Sequence, residues 1–406
     1  MSEMKFKHPL EYYTVDNFIK DSCEMIGEPV KGILATSAHD IARYNFIVAY
    51  AHAIGDSNPL YTDVGYALET KYYGLISVPT YLVAIKYPMS EGALFEGPYP
   101  LVGLEAEYDW EWNDVIKMND SFTTEHVIKD VYEKSSEKGR TVYIASKCKY
   151  LNKLSKEVVA SCVGTYAAIA RAESITEIPE AIKEGFSQQP ITDREVYRYS
   201  EEEIKKILAE VKEERRGINR HYWEDVNVGD ELTPIVKEAL TTDSLLDYTM
   251  AVFSAEAFPS FEINLHKWLQ KPGFLRTNPK LGWPYDIPYT GFEDPFMGGA
   301  SGMPHMFAPG SLKVGFCAHL LSDWMGDDGF IRKLKVDVSE PYIYHDVLWI
   351  KGKVVEKYKE KVGGELYGAV NVKISAVNQL GGTVARGIAT VYLPFENCGV
   401  TLPIPQ

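Results

Sequence analysis

A short turn-forming segment contains the residues whose types and spacing best suit chemistry. It is Gly55-Asp56-Ser57-Asn58-Pro59, and it follows an apolar stretch from Ile41 to Ile54. Gly, Asn and Pro end helices, so one interpretation is a plain helix-terminating turn. The other is a ligand-facing loop in which Asp56 orients a water molecule, provided that a dry cleft raises the pKa of its carboxyl group.

Two histidines are candidates to act with this carboxylate. His52 lies four residues before Asp56, so a continuing helix would place both on one face as an acid–base dyad. His305, in Gly302-Met303-Pro304-His305-Met306, precedes a predicted helix and could reach a cleft. The structural alternatives are a packed helical histidine and a histidine in a turn. His319, in the middle of a predicted helix, is expected to serve packing.

Helix starts supply a second kind of candidate, because the first N–H groups of a helix have no partner inside it and the helix dipole favours negative charge there. Pro79 precedes the predicted helix start at Thr80, and a second Pro precedes Gly310 and Ser311. These N–H groups could bind an oxygen that becomes negative during a reaction. Plain helix starts remain the alternative.

The elements that must position these residues occur in two copies. Asp120 and Asp346 are 226 positions apart, and so are Asn152 and Asn378. In each copy, a run of alternating apolar and polar residues lies between the Asp and the Asn. One shared spacing between two pairs of landmarks predicts a domain duplicated within the chain.

Periodicity predicts a helix followed by a meander of antiparallel strands in each copy, an α+β arrangement. We predict a first domain at 1–174, a linker with an exposed helix at 175–220, and a second domain at 221–406 with an insertion at about 258–309. Ser200 and Glu203 form the capping-box pattern of the linker helix. The predicted strands cover 122–132, 141–150, 158–168, 331–338, 347–358, 366–377 and 384–393.

Composition limits the classes of function. A net charge of −15 argues against nucleic acid as a partner, because phosphate binding over a large surface needs clustered positive charge. The five cysteines have no metal-ligand spacing, no apolar run approaches the length of a membrane span, and the first residues lack a signal peptide. We therefore expect a cytoplasmic protein without metal or membrane contact, and a homo-oligomer is plausible if a sheet edge is exposed.

Several segments together resemble the MaoC-like acyl dehydratases. More narrowly, they resemble bacterial two-domain proteins whose first half is called a fungal fatty-acid-synthase-like (FAS1-like) dehydratase region. The resemblance covers roughly residues 30 to 394. The matching segments are Ala53 to Asp63, Tyr73 to Thr80, Trp110-Glu111-Trp112, Tyr222 to Asp225, Val228 to Leu232, Leu320 to Arg332, Asn378-Gln379 and Ala389-Thr390-Val391.

The resemblance implies a double hotdog fold, in which each antiparallel sheet wraps around one central helix. These helices would lie at about 79–87 and 310–325. The implied activity is reversible hydration of a 2-enoyl thioester, with an acyl-CoA or another acyl thioester as substrate and no further cofactor. The thioester would bind in the groove between the halves.

The sequence departs from the family's pattern at one important position. Such hydratases place an Asp, an Asn and a His in one loop; Asp56 and Asn58 match, but Tyr61 occupies the position of the His. An ordinary Tyr has a pKa near 10 and is a poor base at neutral pH. After Ser254, the second copy has neither an Asp-x-Asn-Pro segment nor a following His. We therefore predict that the second copy acts as a scaffold.

Three hypotheses follow. The first is an enoyl-thioester hydratase or dehydratase that uses Asp56 and Asn58 with Tyr61 or an out-of-motif histidine. The second is a non-catalytic subunit that binds acyl thioesters, favoured by the missing histidine. The third is a hotdog thioesterase, in which Asp56 alone directs water at the thioester carbonyl.

Overall fold

The computed structural model contains one nine-stranded antiparallel sheet. The structure describes residues 7–30, 39–97, 99–136, 139–170, 194–211, 215–257 and 305–405. The strand order is β2-β3-β4-β1-β6-β9-β8-β7-β5, so the two halves of the chain join at β1 and β6. The strands are β1 Leu101–Trp112, β2 Phe122–Ser136, β3 Gly139–Asn152, β4 Val158–Ala170, β5 Ile235–Lys237, β6 Phe330–Asp337, β7 Leu348–Val362, β8 Glu365–Asn378 and β9 Thr383–Leu393.

Helices cover one face of this sheet and lie at its ends. Short 3-10 turns occupy Leu10–Tyr12, Pro79–Tyr81, Gly92–Phe95 and Trp223–Asp225. The α-helices are α1 Val15–Cys23, α2 Tyr44–Ala53, α3 Pro59–Thr62, α4 Val64–Leu68, α5 Leu82–Ile85, α6 Glu201–Glu210, α7 Thr242–Ala257 and α8 Gly310–Met325.

The predicted duplication is confirmed in the backbone. Asn119 and His345, which are also 226 positions apart, both have positive φ angles, of 72° and 64°. Positive φ is uncommon outside glycine, so its recurrence at equivalent positions is strong evidence of a common origin. In each copy the following Asp accepts a side-chain hydrogen bond: Asn152 donates to Asp120 at 3.1 Å, and Gln379 donates to Asp346 at 2.8 Å.

The two central helices differ greatly in length. The second, α8, has 16 residues that are nearly all buried, and it ends as predicted at Met325. The first was predicted over 79–87, but it consists of the 3-10 turn Pro79–Tyr81 and α5, which ends at Ile85. Lys86 is extended, and Pro88 follows shortly after; the residue before a proline disfavours helical geometry, so Tyr87 cannot prolong the helix.

A close approach between helices brings the halves together. A Cβ atom on Gly315 of α8 would lie 2.7 Å from Cγ2 of Ile54, at the end of α2. Real Cβ atoms do not come this close, so the glycine permits the contact. As a result, the chain segment just after Ile54 is placed against α8.

The remaining segments agree with the pattern analysis only in part. The strand predictions after residue 121 are confirmed with slightly wider bounds, but β1 and β5 were not predicted. Ser200 and Glu203 form the expected capping box of α6, which has no buried residue. Most of the predicted insertion, 258–304, lies outside the described residues, as do the end of the first predicted domain and the start of the linker, 171–193. No helix in the described part of the chain is both long and apolar enough to span a membrane.

Candidate active site between the two halves

Asp56 is completely buried at the point where α2 ends. Gly55 has a φ of 68°, which stops the helix and turns the chain. The Asp56 carboxylate accepts a hydrogen bond from the backbone N–H of Asn58 at 3.0 Å and another from the hydroxyl of Ser322 at 3.0 Å. Ser322 belongs to α8, so the loop of the first half is bound to the central helix of the second. A carboxylate has about four acceptor positions, which leaves capacity for water.

An imidazole from the second half stands beside this carboxylate. Ligand atoms of Asp56, His319 and Asp323 all lie within 4.8 Å of one another. His319 Nε2 is 3.2 Å from the Asp323 carboxylate, four residues later on α8. The side chains of His319 and Asp323 are each 11% exposed, whereas Asp56 is 0% exposed. A ligand would therefore meet the His319–Asp323 pair before Asp56.

The buried ammonium group of Lys237 completes the cluster. Lys237, the last residue of β5, places Nζ 2.6 Å from His319 Nδ1 and 2.6 Å from the carbonyl oxygen of Ile54. Because the ammonium group can only donate, Nδ1 must accept, and the neutral ring then carries its proton on Nε2, toward Asp323. Burial lowers the pKa of Lys237 to about 8, although Asp56 and Asp323 oppose this shift.

The ligand atoms of Asp56, His319 and Asp323 have the spacing of a metal site, but the ammonium group of Lys237 already lies beside them. Carboxylate oxygens and an imidazole nitrogen are common metal ligands. Here Lys237 occupies Nδ1 of His319, and its ammonium group balances one of the two carboxylates. The arrangement suits proton transfer among an acid, an imidazole and an amine.

A small cavity lies against the loop that follows Asp56, with a volume of about 20 Å³. That is room for a water molecule, which needs roughly 10–15 Å³ on the same measure. Asn58, Tyr61 and Pro79, three residues predicted for the site, contribute to its wall together with Asp327. The cavity thus lies between the loop after α2, the first central helix and the turn after α8.

A hydrogen-bond network fixes the polar wall of this cavity. The Asn58 side chain accepts from the N–H of Leu60 at 3.0 Å and donates to Asp327 at 3.5 Å. Tyr66 donates to the same carboxylate at 2.6 Å. Burial raises the pKa of Asp327. Asn58 therefore caps α3 and binds a residue of the second half, which holds the loop in place.

Tyr61, at the position expected for a histidine, is buried in α3. Burial, followed by the nearby Asp56 and Asp327 charges, raises the pKa of Tyr61 well above its usual value. The phenol stays protonated at any physiological pH, so it cannot act as a base. It remains a donor on the cavity wall.

The structure does not support the two histidines singled out from the sequence. The predicted His52–Asp56 face is wrong, because the helix ends before Asp56 and His52 is exposed while Asp56 is buried. His305 has its ring centroid 6.4 Å from that of Tyr344, and partial burial lowers its pKa. Asp56 instead contacts Asn58, Ser322, His319 and Asp323. The expectation that His319 only serves packing is also wrong, because its ring lies in the polar cluster.

The two predicted helix starts differ in whether a ligand could reach their backbone N–H groups. The N–H of Ser311 donates to the Glu105 carboxylate at 3.1 Å, and the Ser311 hydroxyl lies 2.7 Å from that of Tyr87. The start of α8, Gly310 and Ser311, is therefore capped by the chain itself, contrary to the expected substrate contact. At the other start Thr80 is buried and Pro79 lines the cavity.

Sequence analysis missed Lys237, His319, Ser322 and Asp323, all from the half predicted to be a scaffold. One signal was present: His319 and Asp323 have the i, i+4 spacing that puts two side chains on one helical face. Nothing in the sequence linked that face to Asp56.

Fold and site together define a duplicated hotdog protein with a polar centre between its halves. Residues 33–161 match the family model described as FAS1-like, dehydratase domain region. Among curated proteins, none matches this sequence.

Solved structures named as MaoC-like dehydratases have a similar fold. A MaoC-like dehydratase is 17% identical, with a TM-score of 0.58, over 90% of this chain and 100% of that chain. A MaoC domain protein dehydratase from Chloroflexus aurantiacus is 12% identical, with a TM-score of 0.52, over 89% of this chain and 94% of that chain. At these identities the likeness concerns the fold, which is the double hotdog.

Proposed function

We propose that this protein is a hydratase or dehydratase of 2-enoyl thioesters whose acid–base groups come from both halves. The observation that carries the proposal is the buried cluster of Asp56, His319 and Lys237, which is connected to a water-sized cavity through Asn58, a residue that lines the cavity and donates to Asp56. The match of residues 33–161 to a dehydratase region supports the same reaction class. The imidazole that the Asp56 loop lacks is thus supplied by α8.

The cluster contains the groups that hydration needs. A water molecule attacks C3, its C–O bond forms, and Asp56 takes the proton that the water loses. His319 delivers the Nε2 proton to C2, and Lys237 replaces that proton through Nδ1. Asp56 then gives its proton to Nε2 of His319 while Nδ1 returns its proton to Lys237, so the starting protonation is restored without a cofactor. Such acid–base steps contribute typically about 10²–10⁴-fold to the rate.

The test follows loss of the conjugated thioester absorbance of crotonyl-CoA. Asp56→Asn and His319→Gln should each lower kcat by at least ~10²-fold, in line with loss of one acid–base group. His52→Gln is the matched control: an exposed histidine near the same loop, expected to leave kcat unchanged.

Other outcomes would contradict the proposal. Release of free thiol without loss of the double bond would support the thioesterase hypothesis instead. Binding of crotonyl-CoA without turnover by the unmodified protein would support the non-catalytic subunit. Full activity in His319→Gln would remove the histidine from the reaction.

A further inference from the structure

A basic segment of the linker lies over the turn that follows α8. The N–H of Asp327 donates to the carbonyl oxygen of Gly217 at 2.9 Å. Arg216 Nε donates to the carbonyl oxygen of Trp324 at 2.9 Å. A Cβ atom on Gly326 would lie 3.1 Å from the same Gly217 oxygen, so backbone packs on backbone here. Since Gly326 and Asp327 line the cavity, this segment lies at the cavity's outer side.

Four cations meet at this place. Arg215 donates to the hydroxyl of Ser57, the residue between Asp56 and Asn58, at 3.1 Å. Arg220 binds Asp328 at 2.6 Å, and Lys71 lies 3.8 Å from the same carboxylate. Arg216 is exposed next to them. Together with Lys71, the three arginines define what we call the linker basic cluster.

Among the described residues, the cluster has more cations than the adjoining turn has carboxylates. Asp327 and Asp328 are the carboxylates that the turn supplies to these four cations. Within the described ranges, neither Arg215 nor Arg216 forms a salt bridge. A local positive excess is unusual in a chain with a net charge of −15. It would attract an anionic group to this side of the cavity.

Arginine is well suited to one class of anion. Its planar guanidinium group presents paired N–H donors that match the oxygens of a phosphate, and it stays charged at all physiological pH values. The neutral reacting end of a 2-enoyl thioester has no need of such a cluster. A phosphorylated carrier does.

We propose that Arg215, Arg216 and Arg220 form a phosphate subsite for the carrier arm of the thioester substrate. The recognised chemistry is a phosphate ester on pantetheine or on its attached nucleotide. This inference rests on the proposed function for its substrate. It adds the place where the substrate's charge is bound, on the linker between the halves.

The kinetic test compares three crotonyl thioesters that contain successively smaller parts of the coenzyme A carrier. Crotonyl-CoA has nucleotide and pantetheine phosphates, crotonyl-pantetheine 4′-phosphate has one, and crotonyl-N-acetylcysteamine has none. In the double variant Arg215→Gln/Arg216→Gln, kcat/KM for crotonyl-CoA should fall at least ~10-fold, since one lost charged hydrogen bond is enough for that change. The phosphate-free thioester should change less than ~2-fold. Arg220→Gln should show the same selectivity.

Arg198→Gln is the matched control, because Arg198 is an exposed arginine of the same linker region. Loss with both phosphorylated thioesters would locate the pantetheine phosphate, which coenzyme A shares with acyl carrier proteins. Loss with crotonyl-CoA alone would locate the nucleotide phosphates and favour coenzyme A. An equal loss with all three thioesters, or no loss with any, would overturn the subsite.

Binding separates this inference from the proposed function. Free coenzyme A, titrated calorimetrically, should bind the unmodified protein and bind the double variant at least ~10-fold more weakly, with an affinity that falls as salt screens the contact. That result would support the subsite even if no thioester were hydrated. If coenzyme A binds both proteins equally, or binds neither, the subsite is wrong whatever the enzymatic result.

Discussion

At the scale of single residues, the proposed reaction replaces a missing imidazole with one from elsewhere in the chain. Tyr61 stands at the position of the expected histidine, but its buried phenol stays protonated and cannot act as a base. His319, from the other half, has an amine on one ring nitrogen and a carboxylate at the other. We therefore expect substitution of Tyr61 to have a small effect on kcat and substitution of His319 to have a large one.

Tyr61→Phe should lower kcat less than ~10-fold, because the proposed reaction uses the phenol at most as a hydrogen-bond donor on the cavity wall. His319→Gln should lower it at least ~10²-fold. Steady-state hydration of crotonyl-CoA measures both. The reverse order of effects would return the catalytic role to Tyr61.

The pKa of Lys237 sets the pH above which we expect activity to fall. Its pKa of about 8 means that it is protonated below pH 8 and increasingly neutral above it. Only the protonated amine can replace the proton that His319 delivers to C2. Hydration should therefore fall as pH rises through about 8, and Lys237→Arg should lower kcat at every pH because a guanidinium group that stays charged cannot give a proton to His319.

The pH profile of kcat/KM tests this, with Lys351→Arg as the control for an exposed lysine. A fall at the same pH in Lys237→Arg would mean that another group titrates there. Lys237→Gln should lose at least ~10²-fold in kcat, as expected for a group in the proton path.

Single residues were the least predictable part of the site. Asp56 and Asn58 could be chosen because a short motif with turn-forming neighbours marks them. His319 could not, because it lies within a largely apolar helix and its partner Asp56 is remote in the sequence. Tertiary contacts, including that of Ile54 with Gly315 of α8, bring the two side chains together.

At the scale of elements, α8 begins at a carboxylate from the opposite half. Glu105 of β1 accepts from the Ser311 N–H, from Tyr108 at 2.9 Å and from Tyr87 at 2.5 Å. Burial raises the pKa of Glu105, while these donors oppose that shift. This fixed cap explains why the helix start is closed to a substrate oxygen.

Glu105→Ala should lower the free energy of unfolding by about 2–4 kcal/mol, because several buried donors lose their shared acceptor. Glu107→Ala, two residues along the same strand, is the matched control. It removes a partly exposed ion pair with Lys335, and exposed pairs contribute at most about 1 kcal/mol.

Urea unfolding of the two variants gives the comparison. Equal losses in both would show that Glu105 is not a buried cap. Because the proposed reaction does not use the Ser311 N–H, the folded Glu105→Ala protein should still hydrate crotonyl-CoA.

Most elements were predictable because their patterns are regular. The strands after residue 121 alternate, and α8 lies between a proline start and a glycine end. The strand β1 was missed although it forms the join between the halves. Its sequence, with Gly103 and several acidic residues, lacks the β-branched enrichment that marked the others.

At the scale of the whole molecule, the duplication has produced one structure with unequal halves. The first half supplies the loop with Asp56, and the second supplies the long helix and the amine. Residues of both halves belong to a single buried core, which includes Tyr50, Trp110, Leu321 and Leu334. The sheet is also continuous, because β1 pairs with β6 as well as with β4.

The continuous core predicts that the two halves unfold together. A chain of 406 residues would ordinarily contain domains that unfold separately, since two-state behaviour is typical of domains under about 150 residues. Here the shared core and the β1–β6 ladder couple them. Leu334→Ala, at a completely buried position of β6 opposite Trp110, should lower stability by about 2–5 kcal/mol. Hydrogen exchange in increasing urea should show equal decreases in the opening free energies of β3, in the first half, and β8, in the second. A decrease confined to β8 would mean that the halves are independent, and the shared site would then depend on their docking alone.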